Sequence, residues 1–191
     1  MARRLKSLDE LRRPAAKDDD GAQSMVPRTA CILGIDPGSR YTGWGVVACE
    51  GRKTRHIASG RISATEGDMG ARLMTIFAGL QAVVAAYAPT EIAIEETFVN
   101  RSNAQSALVL GQARGVALLA AAQCGARVAE YATASVKLAV AGHGRADKQQ
   151  IAHMVRLLLK LGDALSPDAA DALAVALCHA QVRGSALGGW G

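Results

Sequence analysis

Several residues and patterns that mark common protein classes are thin or missing in this chain. There are four cysteines, Cys31, Cys49, Cys124 and Cys178, scattered among apolar neighbours with no C-x-x-C pair. That excludes a recognisable zinc site and gives no sign of a disulfide framework, so each is expected to be a buried or half-buried thiol acting as a small hydrophobe. His56, His153 and His179 have no ligand-like spacing and are expected to be structural. No apolar run reaches the ~18–20 uncharged residues of a membrane span; the nearest, "GVALLAAAQ" at 115–123, is too short. The beginning of the chain has no apolar signal core, so the cytoplasm is the expected compartment. There is no internal repeat. Charge of one sign is not abundant either: the net charge is +5 over 191 residues, too weak by itself to point to nucleic acid.

Half of the residues are hydrophobic and a fifth are charged, as in a soluble domain with one full core. Residues 1–28 are a different material, dense in charge with few large apolar side chains, and residues 1–29 are expected to be a disordered extension. An ordered domain is expected over 30–184, followed by a short flexible tail at 185–191. "ACILGID" (30–36) reads as a buried central strand, and "GWGVVACE" and "KTRHIASGRI" as two more strands joined by the short turn "GR". A helix follows, with Leu73, Ile76, Phe77, Leu80, Val83, Val84 and Tyr87 at helical spacing up to Pro89. Next come the strand "TEIAIEE", a helix at about 104–123, the strand "ARVAEYA" and helices at about 133–140, 147–161 and 167–183. A meander followed by strand–helix alternation implies an α/β fold: a five-stranded mixed sheet with helices on both faces.

The chemistry resides in acids at the ends of apolar elements. Asp36 ends the first strand at the turn Pro37-Gly38-Ser39, which suits either a metal ligand or a phosphate cradle. Glu95 and Glu96 end the fourth strand, and the residues alone do not choose between them. In "SPDAADALAVAL", Ser166 and Pro167 suit a helix start, and Asp168 and Asp171 lie three apart in the first turns. Asp168 could simply favour the helix N-terminus. Asp171 stands in an otherwise apolar helix, where a buried carboxylate needs a partner or a cation. The economical account is convergence on magnesium, or manganese in its place, since hard oxygen ligands suit both ions. Gathering these acids in one metal site would leave the remaining surface basic enough to attract a polyanion.

Two further stretches suit DNA. "AGHGRADKQQ" (141–150) puts His143, Arg145 and Lys148 in a glycine-containing basic segment able to follow a phosphate backbone. Phe98, one of only two phenylalanines, begins a polar loop, where it is either a core plug or, the favoured reading, a base-stacking platform. In the helix 104–123, Gly111 and Gly115 each lower helix propensity by about 1 kcal/mol. Close packing must compensate, against a core neighbour or against a second copy of the chain.

Taken together, "LGIDPGSRYTGWGVV", "IAIEETF", "ALVLGQARGVALLAA", "ASVKLAVAGHGRADKQQIAHMV" and "DAADALAVALCHA" resemble the RuvC family of crossover (Holliday) junction endodeoxyribonucleases, from about Ile32 to His179. The resemblance implies an RNase H-like fold, a homodimer, magnesium dependence, and symmetric cleavage of two strands of like polarity at a four-way DNA junction, in concert with a branch-migration motor complex. It implies Asp36, Glu95, Asp168 and Asp171 as catalytic and metal-binding residues, selecting Glu95 over Glu96. It aligns Phe98 with an aromatic set against bases at the crossover, and Lys137 and Lys148 with basic residues near the scissile phosphate. Arg101 is a further candidate DNA contact, in the loop "NRSNAQ" (100–105), which varies within such proteins. The competing readings are another RNase H-like nuclease, a single-domain actin-like ATPase fragment using "DPGSRYTG" as a phosphate turn, and a non-enzymatic junction-binding module.

Overall fold

The computed structural model describes residues 29–96, 104–162 and 165–187. Phe98 and Arg101 lie outside the described residues. Five strands and five helices are described, in the order β1 (Thr29–Asp36), β2 (Tyr41–Glu50), β3 (Lys53–Ser63), α1 (Met69–Tyr87), β4 (Glu91–Glu96), α2 (Ala104–Gln123), β5 (Arg127–Ala132), α3 (Thr133–Ala141), α4 (Lys148–Leu159) and α5 (Pro167–Leu187). The sheet order is β3-β2-β1-β4-β5. β1, β2 and β3 form the antiparallel meander, while β4 runs parallel to both β1 and β5. The mixed sheet expected from the sequence is therefore present.

Strand alternation divides the core into two layers. Leu33, Ile35, Val46, Ile92 and Ile94 face α1 and α2 in one cluster. Ile32, Val47, Cys49 and Ala93 face α3, α4 and α5 in the other. β1 and β4 are covered on both sides, which explains their continuous apolar sequence.

α5 is the central helix of the second layer. Ala169, Ala170, Ala172, Leu173, Ala174, Val175, Ala176, Leu177 and Cys178 are all buried, as expected of a helix that is apolar nearly all round. Its alanines let it lie unusually close to the sheet. A methyl group at Gly34 would collide with the Ala172 carbonyl oxygen, and one at Gly43 with the carbonyl oxygen of Asp168. The glycines of β1 and β2 thus set the height of α5, and with it the position of the acids in its first turns. The helix start follows the sequence: the Ala169 amide donates to Ser166 Oγ (3.3 Å), and Pro167 opens the helix.

One expectation needs correction. The longest apolar segment is α1, whose mean hydropathy of 1.5 makes it long and apolar enough to cross a membrane by length and composition. Arg72, near its start, is the one charge within it, and residues 73–90 carry none. In the fold, Ile76, Leu80 and Val83 are buried against the sheet. Arg72 Nε donates to the Ala64 carbonyl (2.9 Å) and Arg72 Nη2 to the carbonyl of Ser39. α1 buries one face against the sheet, with 17% of its apolar stretch inside the fold, and clamps the turn after Asp36.

Candidate active site

Asp36 ends β1 and Glu95 lies near the end of β4, on the adjacent parallel strand. Ile32, Gly34 and Asp36 share one face of β1, the face that α5 covers. Ala93 and Glu95 share the same face of β4, whereas Ile92, Ile94 and hence Glu96 alternate to the other. Strand parity therefore turns Glu95 toward Asp36 and α5. The two carboxyl groups are close enough to share a hydrogen bond. The Thr133 hydroxyl at the start of α3 donates to Glu95 Oε1 at 2.5 Å, fixing its orientation.

The turn that exposes the far side of Asp36 is held by side chains. Thr42 is fully buried; its hydroxyl donates to the Gly38 carbonyl (2.9 Å) and accepts from the Gly38 amide (3.4 Å). Arg72 grips the next carbonyl, that of Ser39.

Asp171 meets this pair from α5. It is 17% exposed and accepts from Lys148 Nζ at 3.0 Å, while the lysine side chain is 83% exposed. Lys148 stands at the start of α4, behind a capping box in which the Gln150 amide donates to Asp147 and the Gln150 side chain accepts from the Asp147 amide. Asp36, Glu95, Glu96, Thr133, Lys137, Lys148 and Asp171 line one cleft of about 350 Å³. Asp168, one turn earlier on α5, is not among the residues lining the cleft and faces Arg61 of β3 across 3.7 Å.

The electrostatics are those of crowded acids. Burial, then the neighbouring charges of Glu95 and Asp171, push the Asp36 carboxyl up to about 7, against the opposing pull of Lys148. The hydrogen bond to Asp171 and its charge hold the Lys148 ammonium above its ordinary value, so it stays cationic. Among the described residues, no three of these acids form a ready cage for a metal ion. Asp171 is turned onto Lys148, Asp168 toward Arg61, and Glu95 takes the Thr133 hydroxyl. The donor set nevertheless fits a hard divalent cation: the ligands are all carboxylates, and their mutual repulsion on Asp36 is what such a charge relieves.

The other sequence candidates divide. Lys137 lines the cleft. His143 and Arg145 are exposed in the segment between α3 and α4, outside the cleft lining. Two of the histidines make structural contacts, His56 with Ser59 (3.0 Å) and His179 in a buried network, while His153 is exposed on α4. In that network His179 sits between Tyr131 Oη (2.7 Å) and Glu91 Oε2 (2.7 Å), and Arg183 Nε donates to Glu91 Oε1 at 2.8 Å. Burial alone raises the Glu91 pKa, but the hydrogen bonds from Arg183 and His179 outweigh it and hold it below its ordinary value. This network ties α5 to the start of β4, at the end of the strand away from the cleft. Nothing local in the sequence signals it, because Glu91 and Arg183 are 92 residues apart. The residues overlooked at the cleft are Thr133, Arg72 and Arg61, which act through contacts distant in sequence, and Thr42, whose contact with Gly38 lies within the turn itself.

Comparison with known proteins covers almost the whole described fold. The sequence model of the family "Crossover junction endodeoxyribonuclease RuvC" matches residues 32–179. A protein of that name from Paracoccus denitrificans (strain Pd 1222) is 52% identical over 157 residues, covering 82% of this chain and 95% of the relative. Another, from Stutzerimonas stutzeri (strain A1501), is 52% identical over 154 residues, covering 81% and 88%. Among solved structures, T. thermophilus RuvC in complex with a Holliday junction substrate is 37% identical with a TM-score of 0.75, covering 83% of this chain and 97% of that one. The yeast mitochondrial Holliday junction resolvase Ydc2 is 15% identical with a TM-score of 0.61, covering 86% and 84%, a likeness of fold alone. The sheet order and the helices on both faces are those of an RNase H-like fold.

Proposed function

The chain belongs to the RuvC family of crossover junction endodeoxyribonucleases, and from that membership we propose that it resolves Holliday junctions in homologous recombination and repair by hydrolysing phosphodiester bonds in two strands of like polarity. The observation that carries this reading is the cleft itself. Carboxylates from β1, β4 and α5 meet beside a solvent-exposed lysine, at the strand ends where sites of α/β sheets collect.

The cofactor proposed is magnesium, with manganese as a substitute. Asp36, Glu95 and Asp171 would hold it, with Asp168 completing the set. Bound there, a divalent cation supplies an activated water and neutralises charge on the leaving oxygen. The protein's own contributions follow from its geometry. Thr133 keeps Glu95 aimed at Asp36, and Thr42 and Arg72 hold the turn open beside Asp36. Lys148 reaches solvent from its contact with Asp171, so its ammonium can leave the carboxylate for a phosphate oxygen of the scissile strand. Lys137 lines the same cleft and adds positive charge where the phosphate would lie. His143, Arg145, Phe98 and Arg101 are proposed as DNA contacts around it.

A homodimer is proposed because paired cuts require two sites. Its support is α2, where Leu108 is 67% and Leu119 53% exposed, and Gly111 and Gly115 have open space where a side chain would stand. Among the described residues nothing packs against those glycines, and a partner's copy would supply the compensation they need. The nuclease domain is taken as 30–184, flanked by an extension (1–29) and a tail (185–191). A branch-migration motor complex is the expected partner and the cytoplasm the expected compartment.

The test compares a synthetic mobile four-way junction, a linear duplex and an RNA–DNA hybrid in magnesium, with both cut sites mapped. Symmetric nicks confined to the junction are expected. Equal cleavage of the duplex or preference for the hybrid favours a different RNase H-like nuclease. ATP binding detected by thermal shift favours the actin-like reading.

A further inference from the structure

Across the cleft edge from Lys148, β2 and β3 present a second cationic feature that the hydrolytic scheme leaves unused. Arg61 on β3 pairs in register with Gly43 on β2, the glycine over which the Asp168 carbonyl of α5 packs. Arg61 thus emerges beside the first turn of α5. Its guanidinium lies over the ring of Tyr41, 4.6 Å from the centroid. Its ion pair with Asp168 spans 3.7 Å, too long for a hydrogen bond, and its side chain is 47% exposed. Such an exposed pair adds little to the stability of the fold. A stacked guanidinium retains its fork of donors while losing rotational freedom, the arrangement that suits a phosphate.

Resting on the junction-resolving reading, we infer that Arg61, oriented by Tyr41, is a DNA phosphate contact on the β2–β3 side of the cleft. The strand entering the cleft is then held from two directions, by Lys137 and Lys148 on the α3–α4 side and by Arg61 on the other. Asp168 is the resting partner of Arg61. That pairing is loose enough for the guanidinium to turn to a phosphate oxygen with or without a bound cation. Arg61 touches substrate rather than reacting atoms, so its contribution lies in affinity and strand placement.

The experiment measures binding of a labelled four-way junction in EDTA by fluorescence anisotropy across a salt series, with thermal melting of each variant to confirm folding. Arg61→Ala should weaken binding about 3–10-fold near 0.1 M salt and reduce the slope of log K against log salt by about 1, the loss of one phosphate contact. Arg61→Lys should keep the slope but lose about 2–4-fold, because it lacks the planar fork. Tyr41→Leu should also keep the slope while losing about threefold, because only the platform is gone. Arg55→Ala is the charge-matched control: it removes an exposed arginine six residues along the same strand, roughly 20 Å away, and should change affinity less than twofold. The inference is overturned if Arg61→Ala binds with unchanged affinity and slope, or if Arg55→Ala loses as much as Arg61→Ala, which would make the effect one of net charge. Wild-type protein that does not prefer the junction to a linear duplex overturns the functional reading and this inference with it. Wild-type preference with an indifferent Arg61→Ala overturns this inference alone.

Discussion

Replacing Asp36 by asparagine should stabilise the metal-free protein. The Asp36 carboxyl is pushed from 3.8 to about 7 by burial and by the charges of Glu95 and Asp171. At 1.36 kcal/mol per pH unit, that rise sets a ceiling of about 4 kcal/mol on the strain of keeping Asp36 ionised in the fold. Asp36 and Glu95 share the repulsion and water reaches the cleft, so roughly 1–3 kcal/mol is the expected relief. The sign follows from linkage. A raised carboxyl binds its proton more tightly in the fold, so its contribution favours folding below about pH 4 and is lost as pH rises to about 7. Asp36→Asn and wild type should therefore melt nearly together at pH 4. In EDTA the variant should gain with pH until it leads by roughly 3–10 °C at pH 8, given ~2–4 °C per kcal/mol for a chain of this size. Adding magnesium should raise the wild-type melting temperature and narrow the gap, because a ligand at a hundred times its Kd stabilises by about 2.7 kcal/mol. The assay is differential scanning fluorimetry over pH 4–8 with and without cation. A variant no more stable than wild type at pH 8 in EDTA would refute the crowded-acid account of the cleft.

Other outcomes follow from the same geometry. Glu95→Gln should lower junction cleavage by at least 10³-fold, whereas Glu96→Gln, on the opposite strand face, should lower it less than tenfold; single-turnover rates decide between them. Lys148→Met should slow cleavage about 10²-fold, well beyond the roughly 3–10-fold loss of junction affinity expected for one phosphate contact, consistent with a group that acts on developing charge. Gly43→Ala should cost about 1–3 kcal/mol by denaturant unfolding and depress cleavage as well, because a methyl there displaces the start of α5. Glu91→Gln should destabilise by about 3–5 kcal/mol by uncoupling Arg183 and His179, and any folded fraction should cleave at the wild-type rate.

Much of this was legible in the sequence because it is written locally. The apolar runs ending in Asp36 and Glu95, the Ser166-Pro167 helix start and the helical spacing before Pro89 each act through neighbours a few residues away. The acids were recognisable because apolar elements rarely end in unpaired carboxylates. The choice of Glu95 over Glu96 was not available from the residues themselves. In "IAIEE" both faces are buried, so alternation does not say which one α5 covers; only Gly34 and Ala93, small residues facing the alanines of α5, hint at it. The clamps on the site were illegible for a different reason. Arg72 to Ser39, Thr133 to Glu95 and Arg61 to Asp168 join elements whose adjacency is fixed by topology rather than spacing.

The central claim is that the carboxylates of this cleft cut junction DNA with the aid of a divalent cation while other groups bind it. The most direct measurement is single-turnover cleavage of a four-way junction by wild type and Asp36→Asn across a magnesium titration, with junction affinity measured in parallel. The account predicts cation-dependent paired nicks by the wild type, and no cleavage but near-normal binding by the variant. Full magnesium-dependent cleavage by Asp36→Asn would contradict it.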